Sequence, residues 1–254
     1  MFLHNDKELF QEVIVSAAED LDLVVPIVEK DYYVTMILKK LSIWCPECVF
    51  KGGTSLSKCH HVIDRFSEDI DISFSDKLTQ GMRKKLKNET IAGISEELSL
   101  PIIDWENARS RRDYNAYTFS YDPIDGYVSE ERLIHGVKME VSLASLSFPT
   151  VELPVESYVY QYLMKENEDI VDEYDLHPFT MKVQDIDRTL ADKVFAICDF
   201  SLVSFWVFLE SSCYGSSYED HDSRQERCQR YIHVRGLHIQ YGKRQRRNPS
   251  GSYA

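Results

Sequence analysis

The sequence predicts an α+β fold, and three observations along the chain indicate that class. Over residues 5–43, apolar residues recur at spacings of three and four, as on the buried face of a helix. Residues 49–74 then change to a short apolar strand, a glycine pair, a helical stretch and a second strand, Asp69–Phe74. Residues 113–148 alternate apolar and polar side chains in places, which is the two-residue period of strands.

The first helix is predicted to begin at Asn5 or Asp6, because either side chain can cap it. A second helix is predicted from about Pro26, since proline is favoured in a first helical turn. Helical patterns recur over residues 77–99 and 184–199. The sequence thus indicates four parts: an N-terminal helical region (1–45) packed on a core (46–150), a helical part (151–200), and an atypical tail (201–254) that we expect to be mobile.

Net charge limits the partners that the protein can hold. The 254-residue chain carries a formal charge of −13. Residues 201–254 contain 8 Lys and Arg against 5 Asp and Glu, a net +3, so residues 1–200 carry −16. A body this acidic repels nucleic acid unless its basic residues are concentrated in one place. An RNA acceptor would therefore have to be held locally, which counts against an extended nucleic-acid-coating protein.

The chain is expected to be cytoplasmic, without a membrane partner. No apolar run approaches the roughly 18 residues of a membrane span. The first residues lack the basic and apolar segments of a secretory signal. Six cysteines then indicate cytosolic thiols. Cys45 and Cys48 have zinc-ribbon spacing, but no second cysteine pair lies at a suitable distance, so no zinc site is predicted.

A strand, a glycine turn and a helix start follow one another over residues 50–58. Gly52 and Gly53 would let the backbone approach a phosphate closely. The first helical amides have no intrahelical partners and would face whatever lies at the turn. Thr54 or Ser55 could cap the helix or donate a hydroxyl to a phosphate oxygen. An ordinary tight turn with a cap explains the same residues when they are taken alone.

Two aspartates follow the glycine turn by about fifteen residues. In a strand, Asp69 and Asp71 would point to one face, about 6–7 Å apart along the chain, while Ile70 and Ile72 face the core. Paired carboxylates are costly to bury without a cation, and converging oxygen ligands suit Mg²⁺ or Mn²⁺. An exposed polar strand face is the alternative. Together with the glycine turn, the pair predicts a site for a divalent cation and a triphosphate.

Two further residues are candidates for the same site. Glu140 is an acid in an otherwise apolar strand, and it could supply the third carboxylate that two-metal phosphoryl transfer usually needs. It could equally be a charge at a strand edge. Lys193 lies on a predicted helix and could reach a triphosphate, or it could be a solvated lysine paired with an acid.

The combined motifs resemble the AbiEii/AbiGii family of nucleotidyltransferase toxins. The resemblance rests on the glycine turn at residues 52–58, the segment 65–72 with its aspartate pair, the upstream segment 28–35, and the downstream segments 138–141 and 189–193. It spans roughly residues 10–200. The combination of these segments is specific, whereas each segment alone is not.

The resemblance implies a polymerase-β-like nucleotidyltransferase core with N-terminal helices. It implies that Asp69 and Asp71 bind Mg²⁺ and an NTP, that the turn at Gly53 contacts phosphate, and that Glu140 and Lys193 match the family's strand acid and helix lysine. Members act as toxins of type IV toxin–antitoxin or abortive-infection systems, which implies a cognate antitoxin. Some relatives transfer nucleotides to the acceptor end of tRNA.

The chain departs from the family pattern after Lys193. The family's next helix contributes an aspartate to the site, and Tyr218–Asp222 is only a loose echo of it. The helical C-terminal part is therefore expected to be truncated or altered, as a frameshift near Phe200 would produce. A degenerate nucleotide- or antitoxin-binding protein without turnover is thus an alternative to the enzyme. A sugar-nucleotide glycosyltransferase with an Asp-x-Asp motif is a third reading, but it does not explain the glycine turn.

Overall fold

The structure is a computed structural model that describes residues 1–63, 67–127 and 136–198, apart from the side chain of Ser145. The chain divides into two compact units, Met1–Asp192 and Lys193–Ala254. The first unit contains the sheet and the candidate site. The expectations for the tail, including the altered reading frame and the echo at Tyr218–Asp222, lie outside the described residues.

One six-stranded mixed sheet organises the first unit, with strand order β3-β4-β2-β1-β6-β5. The consecutive strands β1 and β2 pair antiparallel at the centre, and each also pairs in parallel with a strand distant in the chain: β2 with β4, and β1 with β6. The α+β class predicted from the sequence is confirmed. The strands are β1 (Cys48–Lys51), β2 (Ile70–Phe74), β3 (Tyr114–Phe119), β4 (Val137–Leu146), β5 (Thr150–Val155) and β6 (Phe179–Gln184).

The helices begin largely where the sequence signals place them. The Asp6 side chain caps the first helix by accepting a hydrogen bond from the backbone N–H of Leu9 at 3.2 Å, and Pro26 lies in the first turn of the second helix. A π-helical turn, Leu86–Ile91, connects α4 to α5. The helices are α1 (Lys7–Asp20), α2 (Val25–Trp44), α3 (Gly52–Lys58), α4 (Gln80–Lys85), α5 (Ala92–Glu97), α6 (Tyr158–Glu166), α7 (Glu168–Glu173) and α8 (186–198).

Residues 151–200 differ from the helical part that the sequence indicates. They contain most of β5 and all of β6 as well as α6, α7 and α8. Strand β6 pairs with β1, next to the glycine turn, so this region completes the sheet. Strand β5 lies at the edge of the sheet and runs through Pro154, a residue that ordinarily counts against a strand in the sequence.

Helix α2 is buried along most of its length, including three consecutive charged residues. Glu29, Lys30 and Asp31 are only 3%, 2% and 1% exposed. A charged side chain is expensive to bury unless it has a partner. Each of the three has a partner. Glu29 accepts a hydrogen bond from the N–H of Ile124, Lys30 pairs with Glu68 at 2.6 Å, and Asp31 pairs with Lys58.

Asp31 joins three helices. One carboxylate oxygen lies 2.6 Å from the ammonium of Lys58, the last residue of α3, and the other accepts a hydrogen bond from the N–H of Tyr158, the first residue of α6. The Lys58 and Asp31 side chains are 8% and 2% exposed. Since α3 begins with the glycine pair, this buried pair fixes the helix that carries the glycine turn to α2.

No helix in residues 1–63, 67–127 and 136–198 is both long enough and apolar enough to cross a membrane.

Breaking the Asp31–Lys58 pair should destabilise the protein strongly. Asp31→Ala leaves a buried ammonium without its carboxylate, so the free energy of unfolding in urea should fall by about 3–5 kcal/mol. Adding Lys58→Met should restore much of the loss, because it removes the uncompensated charge. Asp20→Ala, which breaks the exposed Asp20–Lys165 pair, is the control and should cost about 0–1 kcal/mol. Equal losses for the two aspartate variants would contradict the proposed anchoring.

The stability of the protein should depend on the ionisation of Glu29. Burial raises the pKa of Glu29 from 4.5 to about 7, although the hydrogen bond from Ile124 opposes the shift. The protonated folded form is therefore favoured, so this contribution is complete below pH 4.5 and is lost as the pH rises through about 7. Glu29→Gln should be more stable than wild type at pH 8, on the order of 3 kcal/mol, and similar at pH 4.5. Unfolding curves in urea at the two pH values measure the difference, and a variant that is less stable at pH 8 would refute it.

Candidate active site

Asp71 lies at the centre of the sheet, between two charged neighbours on adjacent strands. It pairs in register with Lys51 on β1 and with Glu140 on β4. Adjacent strands lie about 5 Å apart, and residues directly in register project from the same face. The sheet therefore brings together a lysine and two acids that are 20 and 69 residues from each other along the chain.

The glycine turn approaches Asp71 as closely as the backbone allows. Gly52 has φ +82°, and a Cβ atom added there would lie 1.9 Å from Oδ2 of Asp71. A side chain at position 52 would thus meet the carboxylate and would also strain the backbone. Gly52 is required both for its conformation and for the space it leaves. The structure places the Asp71 carboxylate against the turn, as the sequence predicts.

Asp69 immediately precedes β2, on the loop that α3 holds in place. Its backbone carbonyl accepts a hydrogen bond from the Thr54 hydroxyl at 2.5 Å. Desolvation raises the pKa of the Asp69 carboxyl, Lys138 and Lys30 lower it, and Glu140 and Glu68 raise it. These opposing influences show that Asp69 lies in the same cluster of charges as Glu140.

Glu140 is held by two residues that sequence reasoning did not identify as functional. Lys138, two positions earlier on β4, forms an ion pair with the Glu140 carboxylate. Tyr114, at the start of β3, forms a side-chain hydrogen bond with Glu140. Partial burial and the carboxylates of Glu140, Asp71 and Asp69 raise the pKa of the Tyr114 phenol, which therefore stays protonated. The sequence signal for Lys138 is its two-residue spacing from Glu140.

Lys51 is a third residue that the sequence analysis did not assign. It ends β1 opposite Asp71 and directly before the glycine pair. Desolvation lowers the pKa of its ammonium, and the nearby carboxylates of Asp71 and Asp192 raise it. Asp192 in turn accepts hydrogen bonds from Arg188 and Gln184 at 2.9 and 3.0 Å. Burial outweighs these carboxylates, so the pKa of the Lys51 ammonium lies below its usual value. Lys51 thus places its amino group next to Asp71, directly before the turn.

The hydroxyls of Thr54 and Ser55 are used inside the protein. Both residues are buried. The Thr54 hydroxyl, which donates to the Asp69 carbonyl, also forms a hydrogen bond with the Ser67 hydroxyl at 3.0 Å, and Ser55 donates to the carbonyl of Gly52 at 2.9 Å. Neither residue caps α3, so that expectation was wrong: the N-cap position is Lys51, whose side chain makes no capping hydrogen bond. That the turn binds phosphate, through Gly52, Gly53, Thr54 and Ser55, stays a prediction. Because the two hydroxyls are hydrogen-bonded inside the protein, the backbone amides are the groups that would bind the phosphate.

Lys193 lies on α8 and is the first residue of the second unit. Its predicted contact with a nucleotide stays a prediction.

The candidate metal ligands of the site are carboxylate oxygens, which suit a hard divalent cation. Asp69, Asp71 and Glu140 offer carboxylate oxygens, which Mg²⁺ and Mn²⁺ prefer. In the part of the chain that the structure describes, no three His, Cys, Asp or Glu side chains are already arranged to hold a metal ion. The Glu140 carboxylate is engaged by Lys138.

Comparisons with known proteins agree with this class of site. A family model described as "Nucleotidyl transferase AbiEii toxin, Type IV TA system" matches residues 37–204, which is more than half of the chain. The turn, the aspartate pair, Glu140 and Lys193 all fall within the match. A comparison with curated proteins gave no match.

Two of the similar solved structures come from bacteria. The nucleotidyltransferase toxin MenT4 from Mycobacterium tuberculosis is 19% identical, with a TM-score of 0.44, over 76% of this chain and 63% of that chain. JHP933 from Helicobacter pylori is 16% identical, with a TM-score of 0.38, over 67% of this chain and 57% of that chain. The chain thus spans less than two thirds of the length of either protein.

The acidic cluster and the glycine turn on the mixed sheet both lie within the residues that the family model matches. The chain belongs to the AbiEii family of type IV toxin–antitoxin systems.

Gly52→Ala should displace Asp71 and inactivate the site. The new Cβ would lie 1.9 Å from the Asp71 carboxylate, and a misplacement of about 1 Å can cost about 100-fold in rate. We expect at least that loss in a nucleotide-transfer assay, with a larger loss of stability than backbone strain alone produces.

Gly126→Ala is the matched control for that substitution. Gly126 has nearly the same conformation, φ +85°, but an added Cβ meets nothing within 4 Å. The free energy of unfolding of this variant should fall by only about 1–2 kcal/mol, which is the cost of alanine in the left-handed conformation. Its transfer activity should be retained. Equal behaviour of the two alanine variants would show that contact with Asp71 is not what requires Gly52.

Proposed function

We propose that this protein is an NTP-dependent nucleotidyltransferase that acts as the toxin of a type IV toxin–antitoxin or abortive-infection system. The observation that carries the proposal is the contact of the Asp71 carboxylate with Gly52, in register with Glu140. This contact brings a carboxylate that could bind a cation to the glycine turn, where we infer that the triphosphate binds. Family membership supports the same activity.

Asp69 and Asp71 would hold the divalent cation, Mg²⁺ or Mn²⁺, and Glu140 would complete its site or position the acceptor hydroxyl. When bound, such a cation neutralises charge on the triphosphate and polarises the phosphorus that is attacked. The acceptor hydroxyl loses its proton to solvent as its oxygen bonds to the α-phosphorus, and the bond to the leaving diphosphate breaks. No covalent enzyme intermediate is needed, because positioning and charge stabilisation account for this chemistry.

Lysines of the site would bind the remaining phosphate charge. Lys51 and Lys138 lie among the carboxylates, and each offers an ammonium group beside the turn or the Glu140 strand. Lys193 is the further candidate implied by the family. A lysine acts here as a point charge that follows the phosphate during transfer.

The acceptor is proposed to be RNA, with tRNA as one candidate, and the protein is proposed to act in the cytoplasm beside a cognate antitoxin. Toxicity would follow from modification of an RNA that translation needs. A binding protein without turnover is the second candidate, because the family match ends at residue 204, close to the change in sequence pattern.

Incubation of the protein with each α-labelled NTP, Mg²⁺ and total RNA tests the proposal. Wild type should transfer label to RNA, and Asp71→Asn should transfer less than about one-hundredth as much while keeping its fold. Asp20→Asn, on α1 and outside the site, should resemble wild type. Induced expression of the wild type, but not of Asp71→Asn, should arrest growth.

Two outcomes would count against the enzyme. Tight NTP binding by wild type without transfer under any of these conditions would favour the binding protein. Growth arrest that is equally strong with Asp71→Asn would reject the mechanism, because toxicity would then not need the site.

A further inference from the structure

Within residues 1–200, which carry a net charge of −16, basic residues are concentrated in two short segments. Residues 83–87 contain four Lys and Arg, and residues 109–112 contain three, out of 29 in the whole chain. Five of these seven residues are exposed, and we refer to them as the basic surface: Lys84, Lys85, Arg109, Arg111 and Arg112.

The other two basic residues fasten the segments to each other. The guanidinium of Arg83 pairs with the Asp113 carboxylate at 2.9 Å. The ammonium of Lys87 donates to the carbonyls of Ala108 at 2.8 Å and Trp105 at 3.3 Å, and it lies 4.4 Å from the centre of the Trp105 ring. The basic surface is therefore built by specific contacts between the end of the α4–π-helix run and a loop about twenty residues later.

This arrangement brings like charges together. Desolvation lowers the pKa of the Lys87 ammonium, the positive charge of Arg109 lowers it further, and Glu106 raises it. Asp113 is occupied with Arg83, which leaves Glu106 as the acid that faces this cluster from the same loop. Concentrated positive charge is unfavourable in the protein alone and favourable once a polyanion binds.

The basic surface leads directly into the acidic site. The loop continues from Arg111 and Arg112 through Asp113 to Tyr114, which hydrogen-bonds Glu140. A chain spans at most about 3.6 Å per residue, so the Cα atoms of Arg112 and Arg111 lie within about 7 and 11 Å of that of Tyr114. A polyanion bound at Arg111 and Arg112 would thus have part of its length beside the carboxylates.

We propose that the basic surface binds the phosphate backbone of an RNA acceptor and holds it at the Glu140 side of the site. This inference rests on the proposed nucleotide transfer. Lys and Arg bind phosphates without reading bases, which gives affinity and position. The acidic remainder of residues 1–200 repels the same polymer, so within that part of the chain this surface is where a polyanion would bind. RNA fits better than DNA or an acidic protein because it carries a hydroxyl on every ribose.

RNA binding by a variant with one substitution in each segment provides the first test. Lys85→Ala/Arg111→Ala is compared with Lys7→Ala/Lys165→Ala, which removes two exposed positive charges from α1 and α6. Fluorescence anisotropy of a labelled single-stranded RNA of mixed sequence, in Ca²⁺ without NTP, gives Kd between 50 and 200 mM salt.

The Lys85→Ala/Arg111→Ala variant should bind RNA at least about tenfold more weakly than wild type at 100 mM salt. Its slope of log Kd against log salt should fall by about 1–2, since each phosphate contact on a single strand contributes about 0.7. The control should match wild type.

The transfer assay supplies a second readout. Lys84, Lys85, Arg111 and Arg112 replaced together by alanine should raise KM for RNA far more than they lower kcat, with the Kd for NTP and the thermal unfolding midpoint unchanged. A merely structural role would instead lower kcat, stability and NTP binding together.

The possible outcomes separate this inference from the proposed function. If label transfer occurs but the basic-surface variants bind RNA as well as the control does, RNA binding by this surface is refuted and the proposed nucleotidyltransferase activity is supported. If RNA binds through the basic surface but no label is transferred, the proposed activity is refuted and RNA binding by this surface is supported. Competition by poly-glutamate as strong as by RNA of equal charge would overturn the assignment to nucleic acid.

Discussion

The site depends on the buried charged run of α2, because three consecutive side chains there hold three separate segments that surround it. Glu29 bonds the backbone at Ile124, Lys30 pairs with Glu68 just before Asp69, and Asp31 pairs with Lys58 at the end of α3. Apolar packing could bury these segments but would not fix their register. In the Asp31–Lys58 pair both charges are buried, and such a pair tolerates little displacement, since an unpaired buried charge costs several kcal/mol. The helix therefore acts as a rigid frame for the glycine turn and the aspartate loop.

The same run explains why α2 gives a weak amphipathic signal in the sequence. Its charged residues face the interior as its apolar residues do, so apolar periodicity describes only part of the buried surface. Proline in the first turn and apolar spacing still located the helix correctly. The structural roles of Glu29, Lys30 and Asp31 could not be predicted from the apolar pattern, because their partners lie 95, 38 and 27 residues away in the chain.

Local signals in the sequence predicted much of the fold and the centre of the site. Capping by Asp6, the strand before Gly52 and the strand that carries Asp71 follow from neighbouring residues, and each is present in the structure. The roles of Lys51 and Tyr114 could not be predicted, because they arise from strand register across the sheet. The partner of Thr54 could not be predicted either, because the carbonyl that accepts its hydrogen bond belongs to Asp69, fifteen residues later.

The distribution of charge connects the site with the rest of the molecule. The carboxylates at Asp69, Asp71 and Glu140 lie among the ammonium groups of Lys30, Lys51 and Lys138, so the cluster is compensated internally. Such a cluster exerts little long-range attraction on a polyanion, whereas the overall charge of −13 exerts repulsion. Capture of a nucleic acid by this protein thus needs positive charge that is not already paired with the site. The loop before Tyr114 presents that charge, and the Arg83–Asp113 pair holds the loop against α4. Because Tyr114 hydrogen-bonds Glu140, the start of β3 lies between the surface that would bind an acceptor and the acid that would position it.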